Sequence, residues 1–165
     1  MMQQENHEID DRLFRNAMGS FATGVTVITT KVTEEIYGMT ANAFMSVSLN
    51  PKLVAISIGE NAKMHQHIKV SKQFAINMLS TNQQNESKQF AGQIGAKSNI
   101  TFASFKSLPI LEDAIAVVTC ELHSEYIVGD HTIFIGKVTG VKMNQGDPLL
   151  FSQGKYRELK ELERE

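Results

Sequence analysis

The chain has 165 residues, of which 42% are hydrophobic and 21% charged, and its formal net charge is -2. This length suffices for one domain with a core, and the charge gives no electrostatic footprint for nucleic acid or an anionic membrane. No run of about 18 apolar residues predicts a transmembrane helix, and the polar residues 1–11 are unlike a signal or transit peptide. We therefore predict a cytoplasmic protein that binds neither nucleic acid nor a membrane.

Hydrophobic periodicity predicts three helices, at residues 8–19, 61–70 and 84–92, the second of them capped by Asn61. Strands are predicted at residues 25–32, 53–58, 74–79, 114–121, 125–128 and 132–142, with one more pairing back onto the first across residues 33–36. Residues 97–108 show weak periodicity and are predicted to contain a loop. Gln153 and Gly154 mark a turn, and residues 1–7 and 158–165 are expected to be flexible tails.

Short strands broken by turns, with only three helices, indicate a mainly β protein: an antiparallel barrel decorated by helices. The absence of a βαβ rhythm argues against a Rossmann fold. Because no repeat, linker or shift of composition divides the chain, we expect a single domain over residues 1–165.

The stretch at residues 38–51 is unusually rich in small polar side chains. It reads Gly-Met-Thr-Ala-Asn-Ala-Phe-Met-Ser-Val-Ser-Leu-Asn-Pro. In an extended segment Thr40 and Asn42 share one face, as do Ser46 and Ser48. Small hydroxyls and amides let a ligand approach the backbone and offer hydrogen bonds without a fixed charge. That suits a planar heteroaromatic ring, although an ordinary Thr/Ser-rich strand pair would look similar.

This stretch resembles the signature of the flavin reductase-like family, small reductases that supply reduced flavin to monooxygenases. The matching positions are Gly38, Thr40, Asn42, Phe44, Ser46, Ser48 and Pro51. Ala43 and Met45 depart from the family pattern, and each departure removes a hydroxyl. The resemblance implies a split β-barrel of the Greek-key type, with motifs matching in order over residues 14–157.

Further motifs carry the same resemblance. Residues 129–136, Gly-Asp-His-Thr-Ile-Phe-Ile-Gly, are similar to a family motif whose histidine lies by the nicotinamide and the flavin. Alone, Gly-Asp-His is a common hairpin turn. With the resemblance, His131 is a candidate catalytic residue, either a proton donor or only a ligand contact, and Asp130 could orient its ring.

The resemblance also implies a set of cofactor-binding residues, which we adopt as predictions. They are Thr40, Ala41, Asn42, Ala43, Ser46, Val47, Ser48, Asn77, Phe90, Ala91, Lys97 and Tyr156. The hydroxyls and amides among residues 40–48 are expected to bond the flavin, with Ala41 and Val47 giving backbone contacts. Plain packing is an equal alternative for Phe90, and Asn77 needs hydrogen-bond partners if it is buried.

No metal site is predicted. His65 and His67 are two residues apart, so on a helix they point about 200° apart and cannot chelate one ion. The lone cysteine, Cys120, cannot form an internal disulfide, and its apolar neighbours indicate a buried strand thiol.

The implied function is an NAD(P)H-dependent flavin reductase that passes hydride from NADH or NADPH to FMN or FAD. Family resemblance further implies a homodimer with the flavin near the interface, and a monooxygenase served by diffusing reduced flavin. The alternative is a flavin-binding or electron-transfer module without turnover, whose flavin motif would look identical. Amine oxidation, hosted by other split barrels, is disfavoured by the motifs at residues 38–51 and 129–136.

Overall fold

The computed structural model describes residues 9–95 and 100–161. Its helices are α1 (Asp11–Gly19), α2 (Lys63–Ser71) and α3 (Gln84–Phe90). Its strands are β1 (Thr23–Gly24), β2 (Thr26–Val32), β3 (Glu35–Ala41), β4 (Phe44–Leu49), β5 (Lys52–Gly59), β6 (Gln73–Met78), β7 (Phe102–Phe105), β8 (Leu108–Leu111), β9 (Ala116–Val128), β10 (His131–Met143), β11 (Leu150–Ser152) and β12 (Lys155–Arg157). The predicted tail at residues 1–7 lies outside the described residues, as do the last four positions of the tail at 158–165.

Seven antiparallel strands form the main sheet, in the order β3-β2-β6-β9-β10-β5-β4. Its two edge strands, β3 and β4, are consecutive in the chain, with only Asn42 and Ala43 between them. Three peptide steps reach no more than about 11 Å, so the sheet must curl until these strand ends meet. The predicted mainly β, antiparallel split barrel is confirmed, and its open seam lies at residues 41–44.

The central strands are buried on both faces of the sheet. On one face Ile28, Ile76 and Phe134 pack against Ile68 of α2. Neighbouring residues of the same strands, such as Val27 and Ala75, point to a second cluster that includes Leu108 and Ile110 of β8. Two-sided burial explains why these strands read as nearly continuous apolar runs.

The predicted loop at residues 97–108 is partly wrong, because β7 and β8 form a hairpin within it. Lys106 and Ser107, the turn residues, both adopt positive φ, at 51° and 65°. Such turns normally carry Gly or Asn, so Lys106 and Ser107 do not predict a hairpin. Residues 96–99, in the first part of that predicted loop, lie outside the described residues.

Two smaller predictions also need correction. The second helix begins at Lys63 after Ala62, which makes no side-chain cap, so the predicted cap at Asn61 is wrong. The two predicted strands at 114–121 and 125–128 are one strand, β9. Its pairing with β10 shifts between Ser124 and Leu122, which leaves His123 as an extra residue. That bulge interrupts the alternation of the sequence without ending the strand.

Candidate functional site

The seam between β3 and β4 is a fixed corner. Thr26 Oγ1 donates to the carbonyl of Ala41 at 2.6 Å. The backbone N–H of Ser57 donates to the carbonyl of Ala43 at 3.0 Å, and Phe44 N–H donates to Asn42 O at 2.9 Å. Because β3 and β4 are the edges of the sheet, each has one side outside the ladder, and backbone groups there are available to a ligand.

A cavity of about 150 Å³ opens at this corner. Its lining residues are Val25, Thr40, Ala41, Asn42, Ser87, Ala91, Gln93, Phe151 and Tyr156. Five of the predicted cofactor-binding residues thus come together from β3, α3 and β12. Every one of these lining residues is uncharged, which suits a neutral ring system.

Hydrogen bonds fix the polar wall of this cavity. Thr40 Oγ1 donates to the carbonyl of Ser87 at 2.7 Å, and Ser87 Oγ shares a hydrogen bond with Tyr156 Oη at 2.9 Å. Ser87 is 1% exposed, so its hydroxyl is committed to Tyr156. Sequence reasoning missed Ser87, although its spacing of three from Phe90 places both on the inner face of α3.

A second groove, of about 370 Å³, adjoins the cavity and shares Val25 and Asn42 with it. Its lining is largely apolar, with Phe21, Phe44 and Leu149 among its members. Thr23 also lines it, and the Thr23 hydroxyl is buried with no hydrogen-bond partner among the described residues. An unpaired buried hydroxyl costs about 1–3 kcal/mol, so a group positioned to accept or donate there is favoured. The residues present therefore fit a planar aromatic ligand that carries polar edge atoms.

The β4 strand lines a third groove, of about 390 Å³, with Ser46, Val47 and Ser48 on its wall. Ser46 pairs with Val54 and Ser48 with Leu53, so Val47 is an extra, bulged residue. The predicted simple alternation that put Ser46 and Ser48 on one face is therefore wrong at this point. Phe44 and Met78 line both this groove and the second one.

His131 begins β10 directly after the predicted Gly129–Asp130 turn. Its Nδ1 donates to the carboxylate of Asp130 at 2.7 Å, and its side chain is 50% exposed. This hydrogen bond, with the charge of the imidazole, lowers the pKa of the Asp130 carboxyl. Asp130 thus orients the ring, as predicted, and Nε2 has no hydrogen bond to any residue that the structure describes.

His131 is separate from the cavity within one chain. It pairs with Gly59 of β5, whereas Phe44 pairs with Ile56 of the same strand. The three-residue offset along β5 corresponds to about 10 Å. His131 therefore lies beyond the seam, along the same strand that supports β4.

Two other predicted site residues, Asn77 and Ala43, occupy different places. Asn77 is fully buried in the core, where its amide donates to Val27 O and Thr29 Oγ1 and accepts from the N–H of Leu111. All its hydrogen-bonding atoms are thus used by the protein. Ala43 is exposed at the corner, and Lys97 lies outside the described residues.

Phe90 packs beneath β3 at Gly38. A Cβ built on Gly38 would lie 2.5 Å from Cε1 of Phe90, so only glycine permits this approach. Phe90 also contacts Phe102, with ring centroids 6.0 Å apart. The family's glycine at position 38 therefore has a packing role that brings α3 against the strand that bears Thr40.

His65 and His67 point to different neighbours, consistent with their spacing on α2. His65 Nε2 is hydrogen-bonded to Thr132 Oγ1 at 2.8 Å, whereas His67 stacks on Tyr37 with a centroid distance of 3.6 Å. In the described part of the chain, no three His, Cys, Asp or Glu side chains cluster in a way that could hold a metal. Burial raises the pKa of the Cys120 thiol to about 12, so this cysteine is an inert core residue.

Within residues 9–95 and 100–161, each helix falls short of the length and apolar character that crossing a membrane requires.

Together, the curled antiparallel sheet and the uncharged cavity at its seam define a split β-barrel protein with a candidate ligand site at the open edge. Residues 18–160 match the family model of the flavin reductase like domain. The chain belongs to the flavin reductase-like family.

Individual relatives agree with this assignment. An NADH-dependent flavin reductase of a Rhodococcus species is 37% identical over 161 residues, spanning 96% of this chain and 92% of its own. The reductase component of a 4-hydroxyphenylacetate 3-monooxygenase from Thermus thermophilus is 39% identical, over 88% of this chain and 95% of its own. The solved structure of flavin reductase PheA2 superposes with a TM-score of 0.91 at 55% identity, covering 93% of this chain and all of that one.

Proposed function

We propose that this chain is an NAD(P)H-dependent flavin reductase, with FMN or FAD as the flavin and NADH or NADPH as the cosubstrate. The observation that carries the proposal is the uncharged cavity at residues 40–42, in a chain of the flavin reductase-like family. When bound, the cofactors supply the redox chemistry: a hydride moves from C4 of the nicotinamide to N5 of the flavin. The protein then needs to supply binding, alignment and exclusion of water.

The polar residues at the seam bind and orient the flavin. Asn42 and Ala41 line the cavity, and Thr23 lines the adjoining groove with its hydroxyl buried and without a hydrogen-bond partner among the described residues. The Thr40 side chain is held by Ser87, so Thr40 shapes the wall and keeps α3 in place. Apolar side chains of the groove, such as Phe44, exclude water from the ring. Asn77 is left out of this binding set because its amide is fully bonded in the core.

His131 contacts the nicotinamide in this proposal. Asp130 holds Nδ1, so Nε2 is free to meet the cosubstrate, and half of the side chain is open to it. The protein's contribution is alignment. When the reacting atoms are held about 3–3.5 Å apart, hydride transfer does not have to overcome the entropy cost of bringing them together. This role requires no activated nucleophile, in keeping with the buried, protonated thiol of Cys120.

We further propose a homodimer formed by a single domain that spans the chain. Large apolar side chains are exposed on the edge strand β4, where Leu49 is 81% exposed, and at the tip of β9, where Ile127 is 76% exposed. Large apolar side chains exposed in this way support an interface with another chain. A second copy would cover these strands and close the open groove along Ser46, Val47 and Ser48.

The physiological partner in this proposal is a monooxygenase that takes up the reduced flavin. The Thermus thermophilus relative, a monooxygenase reductase component, supports it. We place the reaction in the cytoplasm, because reduced nicotinamide nucleotides are supplied there.

Multiple turnover tests the proposed function. Purified protein is mixed with excess FMN or FAD and with NADH or NADPH, and oxidation of the nicotinamide is followed by absorbance. We expect many equivalents of nicotinamide to be consumed per protein. Bleaching of a single equivalent, or none, would instead identify a flavin-binding module without turnover.

The Thr23 hydroxyl offers a sharper test of where the flavin binds. Thr23→Val removes the unpaired hydroxyl at nearly constant shape, so the free energy of unfolding of the flavin-free protein should stay the same or rise by up to about 1 kcal/mol. Flavin affinity should fall by about tenfold, the value of one lost hydrogen bond. Fluorescence quenching of FMN measures the affinity.

Thr29→Val is the matched control. The Thr29 hydroxyl donates to the carbonyl of Pro109 at 2.6 Å within the core. This variant should lose stability and keep its flavin affinity. A Thr23→Val protein that binds flavin as tightly as the wild type would remove Thr23 from the site.

A further inference from the structure

The segment at residues 60–65, which leads into α2, contacts the residues on both sides of His131. Before it, the N–H of Glu60 donates to the carbonyl of Asp130 at 3.0 Å. After it, His65 Nε2 is hydrogen-bonded to Thr132 Oγ1 at 2.8 Å. His131 is thus the one residue between two points at which the strand is attached to the segment at residues 60–65.

The His65 contact lies in the interior of the barrel. Thr132 is 2% exposed, so its hydroxyl has no access to bulk water, and His65 is the partner that the structure shows for it. The His65 ring also meets Phe134 edge-on, with centroids 5.4 Å apart and planes at 63°. Loss of the hydrogen bond, from either side, would remove the attachment of β10 to α2 at Thr132 and free the strand to shift.

A shift of Thr132 moves His131 directly. The two residues are adjacent in β10, and their side chains point to opposite faces of the sheet. The ring of His131 lies over Gly59, where a Cβ would be 3.7 Å from Nε2. The carbonyl of Gly59 accepts a hydrogen bond from the N–H of Ala62, just before α2. The segment at residues 60–65 therefore also fixes Gly59, the residue against which the His131 ring lies.

We propose that His65 is a positioning residue for the reductase reaction, which through Thr132 sets where His131 stands against the cosubstrate. The proposal rests on the proposed function and adds a residue that faces away from the reacting atoms. Attachment through a helix gives the hairpin at residues 129–131 a rigidity that a solvent-exposed turn lacks.

Two substitutions separate the hydrogen bond from the packing. His65→Phe keeps an aromatic ring against Phe134 and loses the hydrogen bond to Thr132. His65→Gln retains a polar group of similar reach. We expect His65→Phe to slow hydride transfer at saturating flavin and cosubstrate by about tenfold, as for a displacement of well under 1 Å. Flavin affinity should stay within about twofold, and His65→Gln should recover most of the rate.

The Thr132→Val variant probes the other end of the contact. It should cause the same loss of rate as His65→Phe, and the double variant should be no slower than either single one. His67→Phe is the matched control on the same helix, because His67 stacks on Tyr37 and has no hydrogen bond to β10 in the described structure. Its rate of hydride transfer should equal that of the wild type.

A second readout keeps this inference separate from the proposed function. The ¹⁵N chemical shifts of the His131 ring, measured without flavin or nicotinamide, should change in His65→Phe and not in His67→Phe. Unchanged His131 shifts, or a His65→Phe protein that loses stability but transfers hydride at the wild-type rate, would overturn the positioning role. Absence of turnover in the wild type would contradict the proposed function alone, since the His131 shifts are measured regardless of turnover.

Discussion

Replacement of His131 by alanine should slow hydride transfer by about 100-fold while flavin affinity changes by less than about threefold. The reason is its place: His131 lies at the start of β10, outside the residues that line the cavity at the seam. Loss of the His131 side chain removes a contact to the cosubstrate and leaves the flavin-binding cavity at the seam intact. Stopped-flow reduction of bound flavin at saturating cosubstrate gives the rate, and quenching of flavin fluorescence gives the affinity.

The control for this experiment is His123→Ala. His123 is the exposed, bulged residue of β9, and its removal should change neither quantity. Asp130→Asn should fall between the wild type and His131→Ala, because an amide oxygen still accepts from Nδ1 without the charge. Equal losses of rate and affinity in His131→Ala would mean that His131 holds the pocket together instead of aligning the nicotinamide.

Gly136→Ala should give the largest loss of stability of any substitution considered for this chain. A Cβ at position 136 would lie 2.7 Å from Cζ of Phe74 and 2.8 Å from Cβ of Cys120, and both neighbours are buried. Neither can move far in a packed core, so we expect the free energy of unfolding to fall by about 2–3 kcal/mol. Denaturation by urea, followed by circular dichroism, measures it.

Gly24→Ala is the matched control, since a Cβ there meets nothing within 4 Å. Its free energy of unfolding should equal that of the wild type or slightly exceed it. If Gly136→Ala unfolds at the same urea concentration as Gly24→Ala, the claim that Phe74 packs too closely on Gly136 to admit a Cβ is contradicted. The final glycine of the motif at residues 129–136 would then need another explanation.

Much of the fold could be predicted because its signals are local. Gly129 in the hairpin turn has a positive φ of 61°. Glycine is the residue that adopts such a φ most readily, so its presence predicts the turn. The helix α1 begins after Asp10, whose carboxylate accepts from the N–H groups of Arg12 and Leu13. Two-sided burial of β6 follows from the apolar run at residues 74–76. These features depend on neighbours in sequence.

The remaining features depend on residues far apart in the chain. The hairpin of β7 and β8 uses Lys106 and Ser107 at positive φ, which propensity disfavours and the packing of Leu108 and Ile110 outweighs. The hydrogen bond between the hydroxyls of Ser87 and Tyr156 joins residues that are 69 positions apart in the chain. No periodicity within a short window contains such information, so the part that Ser87 plays in the cavity wall could be found only from the fold.

The structure brings predicted site residues together where the motif is short and extended. Residues 40–42 meet at the cavity because β3 and β4 are sheet edges joined by a two-residue corner. Resemblance also nominated Asn77, and the structure shows why such a residue stands out: it ties β2, β6 and β8 together through three side-chain hydrogen bonds in the core. A distinctive polar residue within a strand can thus reflect core architecture as well as ligand binding.

The central claim is that the flavin lies at the seam of the barrel, and mapping of backbone amide shifts tests it most directly. FMN is titrated into ¹⁵N-labelled protein, and the change at each assigned N–H is recorded. We expect the largest shifts at residues 23–25 and 40–44, and in α3 around Ser87. Shifts confined to the polar cleft formed by residues 80–86, 112–113 and 142–147, or no shifts at all, would contradict it.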